Sequence, residues 1–225
     1  MISDIPVSDL VSLAWFVALW VGYTWYADWH ARRLYSLRSV MHDYREKWMQ
    51  QMLARDNRVV DVNIMRNLLQ SVAFFASATL LILAGLLTVL GSTDKAIEIV
   101  RALPFALKTT LVQWEMKLLV LCMIFVYAFF KFTWALRQFN YCSVLIGAAP
   151  KSADNAYAQR AAEVSTNASK DFNQGLRAYY FSLAALGWFI HPWVFVAATT
   201  LVTAVLYLRE HHSTPLKILT PGGAE

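Results

Sequence analysis

Apolar residues gather in four blocks along the chain, separated by polar segments of unequal length. The first block, residues 10–26, runs 17 residues without a charge. A helix rising about 1.5 Å per residue needs about 20 residues to cross about 30 Å of hydrocarbon, so this block is a short span. The second, residues 67–91, has no ionisable side chain over 25 residues and is the clearest span. The third, residues 111–136, contains Glu115, Lys117 and Lys131. It spans if the two lysines snorkel to opposite interfaces. The fourth, residues 178–208, has no Asp, Glu, Lys or Arg but carries His191-Pro192 near its middle. Proline removes a backbone donor and predicts a kink there, with the His191 ring satisfied by a freed carbonyl.

The polar connections also carry helical periodicity. Between Asp28 and Arg55 there is no Gly or Pro, and Leu34, Leu37, Met41, Tyr44 and Trp48 recur at 3-4-3-4 spacing. The first span is therefore expected to run on as a long helix or to turn onto the membrane surface. After the break Gly147-Ala148-Ala149-Pro150, the residues Tyr157, Ala161, Val164, Ala168 and Phe172 keep a similar spacing. That small apolar face is predicted to pack against the first connecting helix. Ile97, Val100 and Leu103, followed by Pro104, predict a short interfacial helix in the remaining loop.

Composition supports this division. Apolar residues make up 58% of the 225, and charged ones 16%, with a mean hydropathy of +0.41. Ordinary soluble domains are about 45–50% apolar and about 25% charged. The fold class predicted is all-α: a single integral membrane domain over residues 1–225, with four transmembrane helices and helical cytoplasmic connections at about 27–66 and 137–177. The leader MISDIPVSD has no Lys or Arg, which argues for a retained first span rather than an export signal. The two connections hold 13 of the 20 Lys and Arg residues. By the positive-inside rule both face the cytoplasm, which puts both termini outside a bacterial inner membrane. The net charge of +5 then reflects orientation, and no nucleic-acid partner is implied.

Two strings carry a family resemblance. DVNIMRNLLQSVAFFASATLLILAGLLTVLGST (61–93), with Asn63, Arg66, Asn67 and Ser71, and FKFTWALRQFNYCSVLIGAAP (130–150), with Arg137, Asn140, Ile146 and Pro150, resemble the four-span membrane family catalogued as domain of unknown function 599, found in bacteria and plants. The resemblance covers nearly the whole chain. It implies fold and membrane location and no activity.

Chemistry by a known motif finds little support. There is no Gly-rich phosphate loop, HExxH or G-x-S-x-G, so an enzyme is not expected. Of the five histidines only His191 lies well inside a span, which leaves a bis-histidine haem without its second ligand and predicts no cofactor and no metal. Cys122 and Cys142 are expected as separate thiols. The informative feature is a polar and basic layer at the inner ends of the spans. Asn63, Asn67, Gln70 and Ser71 share one helical face beside Arg66, while Lys131, Arg137, Asn140 and Arg177 are expected near the same depth. Such a layer suits anionic membrane lipid headgroups or the inner vestibule of an oligomeric, channel-like assembly. Small residues four apart, Ala73 with Ser77, Thr199 with Thr203 and Thr200 with Ala204, favour a homo-oligomer. The best functional expectation is a channel-like or scaffold protein with a basic cytoplasmic mouth. The rival is a membrane adaptor that binds anionic lipid or protein without conducting.

Overall fold

The computed structural model describes residues 6–30, 36–93, 110–150 and 153–219, which contain helices and no strand. The helices are α1 (Val7–His30), α2 (Leu37–Ala54), α3 (Val59–Leu90), α4 (Leu111–Ala148), α5 (Asn155–Leu186), α6 (Pro192–His211) and α7 (Thr214–Leu219). A 3-10 turn, Gly187–Phe189, separates α5 from α6. Four segments are long and apolar enough to cross a membrane: Val7–Trp29, Val59–Leu90, Leu111–Ala148 and Pro192–Leu219. The all-α architecture with four span-like helices is thus present. The loop helix expected around Ile97, Val100 and Leu103 lies outside the described residues.

Local chemistry sets the helix starts. Ser36 caps α2 in a capping box with Ser39, and Thr110 caps α4 the same way with Gln113. The Asp154 side chain accepts from the Tyr157 N–H at the head of α5. Helix α4 ends at Ala148, just before Pro150.

Helices α4 and α5 lie antiparallel along their full length. Lys117 meets Trp188, Phe132 meets Gly175, and Tyr157 donates to the Leu145 carbonyl. A Cβ added to Gly175 would stand 2.5 Å from Cε1 of the fully buried Phe132, so only glycine lets the two backbones approach this closely. Helix α3 also packs antiparallel to α4. Arg58 donates to the Ile146 and Ala149 carbonyls at one end, and Phe75 meets Phe132 further along. The rings of Phe16, Phe181, Phe195 and Trp188 fill the space where α1, α5 and α6 meet.

The fourth apolar block is not one kinked helix. Residues 178–186 complete α5, the chain turns at 187–191, and α6 starts afresh at Pro192. Proline fits there because the first helical position has no intrahelical use for its N–H. His191 caps that start by accepting the Trp193 N–H on Nδ1, at 3.1 Å. The predicted kink, with His191 held by a freed carbonyl, is therefore replaced by a helix start at which His191 is the acceptor. Topology changes with it. The C-terminal half of α5 returns beside α4 to the level of Lys117, and α6 then runs parallel to α1. Asp9 meets Trp188, Phe16 meets Phe195, and Tyr26 meets Tyr207. The starts of α1 and α6 lie at one end of the bundle, their ends at the other. Both termini on one side is consequently corrected: the end of α6 lies at the opposite end from Val7.

The connecting helices differ from expectation in register. Helix α2 neither continues α1 nor lies flat. It runs along α5, with Arg38 near Gln174 through their shared partner Asp28, His42 at Thr166 and Glu46 at Gln159. It buries Val40, Met49 and Met52, not the Leu37–Trp48 stripe; Leu34 is outside the described residues. The small face of α5 packs chiefly on α4, because α4 itself extends to Ala148. The Cys142 thiol donates to the Ala161 carbonyl at 3.6 Å, and Phe172 meets Phe132.

Candidate functional site

The predicted inner layer divides in three. Asn63, Arg66, Asn67, Gln70 and Ser71 all lie exposed on the outward face of α3, because Asp61, Met65, Val72, Ala76 and Thr79 claim its packed face. Lys131 and Arg137 line a shallow cavity of about 420 Å³ with Tyr127, Phe130, Thr133 and Trp134. There Lys131 pairs with Asp171 at 2.8 Å, and Arg137 Nε donates to the Tyr141 hydroxyl at 2.6 Å. Asn140 is exposed on the same helix. Only Arg177 enters a larger site. The layer does not converge, because α4 turns its Lys131–Arg137 face away from α3.

That larger site is a cavity of about 790 Å³ between the end of α1, α2, the middle of α5 and the end of α6. Helix α2 contributes Arg38, His42 and Arg45 at i, i+4 and i+7, one face of the helix. Helix α5 contributes Glu163, Thr166, Lys170, Asn173 and Arg177, and α6 contributes Leu206, Arg209 and Glu210. Leu37, Met41, Leu176 and Tyr23 supply an apolar side to the wall.

Asp28, in the last turn of α1, is the electrostatic centre. Its carboxylate meets Arg38 at 2.7 Å, Lys170 at 3.2 Å and Arg177 at 3.5 Å, and accepts from Gln174 Nε2 at 2.6 Å. Three cations thus share one carboxylate. Arg209 donates to the Tyr180 hydroxyl, and His42 hydrogen-bonds Thr166. Arg45 has no acidic partner among the described residues; burial first, and then the Arg38 charge, hold its pKa below the usual arginine value. One wall atom, Glu210 Oε1, is buried without a hydrogen-bond partner. The site carries Arg38, Arg45, Lys170, Arg177 and Arg209 against Asp28, Asp43, Glu163 and Glu210. Three of those five cations already converge on one acceptor, so the arrangement is suited to holding an oxyanion with more oxygens than a carboxylate.

The sequence pattern contained part of this. Arg38 and Arg45 stand on the polar face of a recognisable helix, and Asp28 is an acid just past the first span. Lys170 and Arg209 gave no separate signal, since only packing brings α5 and the end of α6 to α2.

The opposite end of the bundle holds a second polar group. Lys117 is 4% exposed, faces Asp9 at 3.5 Å and donates to the Trp188 carbonyl at 3.0 Å. Trp188 Nε1 donates to Asp9 at 2.8 Å. Lys117 therefore does not snorkel: the carbonyl freed at the 187–191 turn and the Asp9 carboxylate satisfy it internally. Cys122 and Cys142 are separate buried thiols. Among the described residues no group of three His, Cys, Asp or Glu side chains is placed to hold a metal ion.

A family model described as "Protein of unknown function, DUF599" matches residues 11–215. The chain belongs to that family. The match spans α1 through the start of α7, so the cavity and the buried ion pair lie within the family's domain, except for Asp9 just before it. No curated protein and no solved structure matches the chain.

Proposed function

We propose that this multi-pass membrane protein binds the phosphate headgroup of an anionic lipid in the Asp28 cavity, as a non-enzymatic adaptor without a conduction path. The cavity itself carries the reading: five cations against four carboxylates line about 790 Å³ beside an apolar wall, three of the cations gathered at Asp28 where the span-like helix α1 ends. Basic clusters at a cytoplasmic interface attract anionic lipid by about 1 kcal/mol per charge. Conduction through one protomer is disfavoured because aromatic rings fill the space between α1, α5 and α6.

We place the cavity at the cytoplasmic face of a bacterial inner membrane, with Val7 outside. With the end of α6 at the cavity's end of the bundle, Arg209 and Lys217 join the 13 basic residues of the two connections. The count becomes fifteen inside against Lys95, Arg101 and Lys108 outside.

A second reading, homo-oligomeric assembly with a pore between protomers, draws on one observation. Exposed Asn63, Asn67, Gln70, Phe74, Ser77, Leu81, Ala84 and Thr88 form a 4-3 repeat down the outward face of α3. Such a seam suits helix association in a bilayer.

Native mass spectrometry from bilayer nanodiscs of phosphatidylglycerol and phosphatidylcholine tests both. The lipid reading expects one phosphatidylglycerol retained per protomer in preference to phosphatidylcholine. A closed ring of protomers with no retained anionic lipid would replace it with the pore.

A further inference from the structure

Asp28 has an arrangement that a ligand's phosphate would otherwise have. Its two oxygens take Arg38, Lys170, Arg177 and Gln174, which come from α2 and α5, while the carboxylate itself belongs to α1. An internal pair between one acid and one base needs no such convergence. Meanwhile Arg45 and Arg209, on the same cavity, pair with no carboxylate among the described residues. The Asp28 side chain is 17% exposed, so its site communicates with the cavity. Arg38 Nη1 also donates to the carbonyl of Ala27, the residue before Asp28, at 3.2 Å. One guanidinium therefore ties the end of α1 to the first turn of α2 through this carboxylate.

We propose that Asp28 is a built-in stand-in for the ligand, and that a phosphate oxyanion binds by displacing its carboxylate from Arg38, Lys170 and Arg177. This deepens the lipid-binding reading and rests on it for the choice of lipid as the phosphate source. The exchange is chemically even: one oxyanion leaves the three cations as another arrives, their hydrogen bonds pass from carboxylate to phosphate, and no covalent bond is made or broken. The phosphate has oxygens to spare for Arg45 and Arg209, which the short Asp28 side chain leaves without an acid. Displacement frees the Asp28–Arg38 tie and leaves the Ala27 carbonyl as Arg38's hold on α1, so occupancy is reported at the α1–α2 joint. Asp28 thereby sets a threshold, since a weakly charged or zwitterionic headgroup gains too little from the cations to dislodge it.

The test compares wild type, Asp28→Asn, Asp28→Glu and Gln174→Glu by native mass spectrometry from phosphatidylglycerol nanodiscs, and by titration with inorganic phosphate in detergent. Removing the competing charge is expected to raise phosphatidylglycerol retention on the order of tenfold, as one like charge a few ångströms away does at a partly hydrated site. Asp28→Glu keeps the charge and should show no gain. Gln174→Glu adds a second competing carboxylate to the same cations and should lower retention by a similar factor, which keeps the test open if Asp28→Asn does not fold. Retention that is unchanged or lower in Asp28→Asn, or undiminished in Gln174→Glu, overturns the stand-in while wild-type lipid binding stands. A gain in Asp28→Asn for inorganic phosphate alone supports the stand-in and overturns the lipid source. Binding of neither ligand by any of the four chains overturns both.

Discussion

The two ends of the bundle use the same chemical groups to opposite effect. At the end where α1 begins, one carboxylate, Asp9, meets one ammonium, Lys117, and Trp188 closes both from its indole and its carbonyl. All three residues are no more than 5% exposed, and the cation lies 5.3 Å from the Trp188 ring. At the other end one carboxylate, Asp28, meets three cations, and a cavity of about 790 Å³ stays open beside them. A buried pair with matched charge has nothing left to offer a ligand, and its energy goes into holding α1 and α4 to the turn at 187–189. An open cluster with cations in excess contributes less to the fold and keeps its affinity for an anion from outside. Charge balance and closure, more than the residue types, separate a structural ion pair from a binding site.

The strongest way to break this contrast is to unbalance the closed end. Lys117→Met leaves Asp9 buried with no cation, and losing one partner of a buried pair costs about 3–5 kcal/mol. Thermal unfolding in detergent should show a large drop, and adding Asp9→Asn should recover part of it, since the amide removes the stranded charge and still accepts from the Trp188 indole. A double variant as unstable as the single would mean that packing around Trp188, and not charge, holds this end. A smaller effect is expected midway, where α5 passes from the open end into the closed one. Gly175→Ala drives a methyl into the Phe132 ring, and overpacking of this kind costs about 1–3 kcal/mol. Because Phe132 is fully buried between α3, α4 and α5, lipid retention should fall only as far as folded protein does.

The same contrast explains what the sequence disclosed. The span-like helices α1 and α3 were legible because long charge-free runs have one good solution in a bilayer, and α4 because its charges lie towards the two ends of an apolar run. The fourth block misled because hydropathy does not register a helix break. Gly187 at a helix end and Pro192 at the next helix start are the local signal, and they sit in an apolar run that reads as continuous. The amide stripe on α3 was recognised correctly as one face of a helix. Which way that face points is set by Met65, Val72 and Ala76 finding α4, a tertiary choice that periodicity leaves open. Lys117 was read as an interfacial lysine because its partner Asp9 lies 108 residues away in sequence. The cavity was hardest to see for the same reason, since its walls come from four helices and only Arg177 had been placed among the candidates.

The mildest perturbation sharpens the contrast most. Arg45 lines the cavity without an acidic partner among the described residues, so Arg45→Ala removes a cation that the fold does not use. Its unfolding temperature in phosphatidylcholine should match or slightly exceed wild type, since the change removes a half-buried cation that has no acid to offset its desolvation. In phosphatidylglycerol the two should separate. A ligand that binds only the folded state at about 100 times its Kd adds about 2.7 kcal/mol of stability, and the variant, lacking about 1 kcal/mol of attraction, forfeits about a third of that gain. Salt then divides the two ends. At about 1 M ionic strength the screening length falls to about 3 Å, which should erase the phosphatidylglycerol gain of wild type while leaving the Lys117→Met defect intact, because no counter-ion reaches a pair buried that completely. If salt instead rescued Lys117→Met, the closed end would be open to water. If wild type kept its lipid gain at high salt, the cavity would be holding lipid by its apolar wall of Leu37, Met41 and Leu176, and the excess of cations would need another purpose.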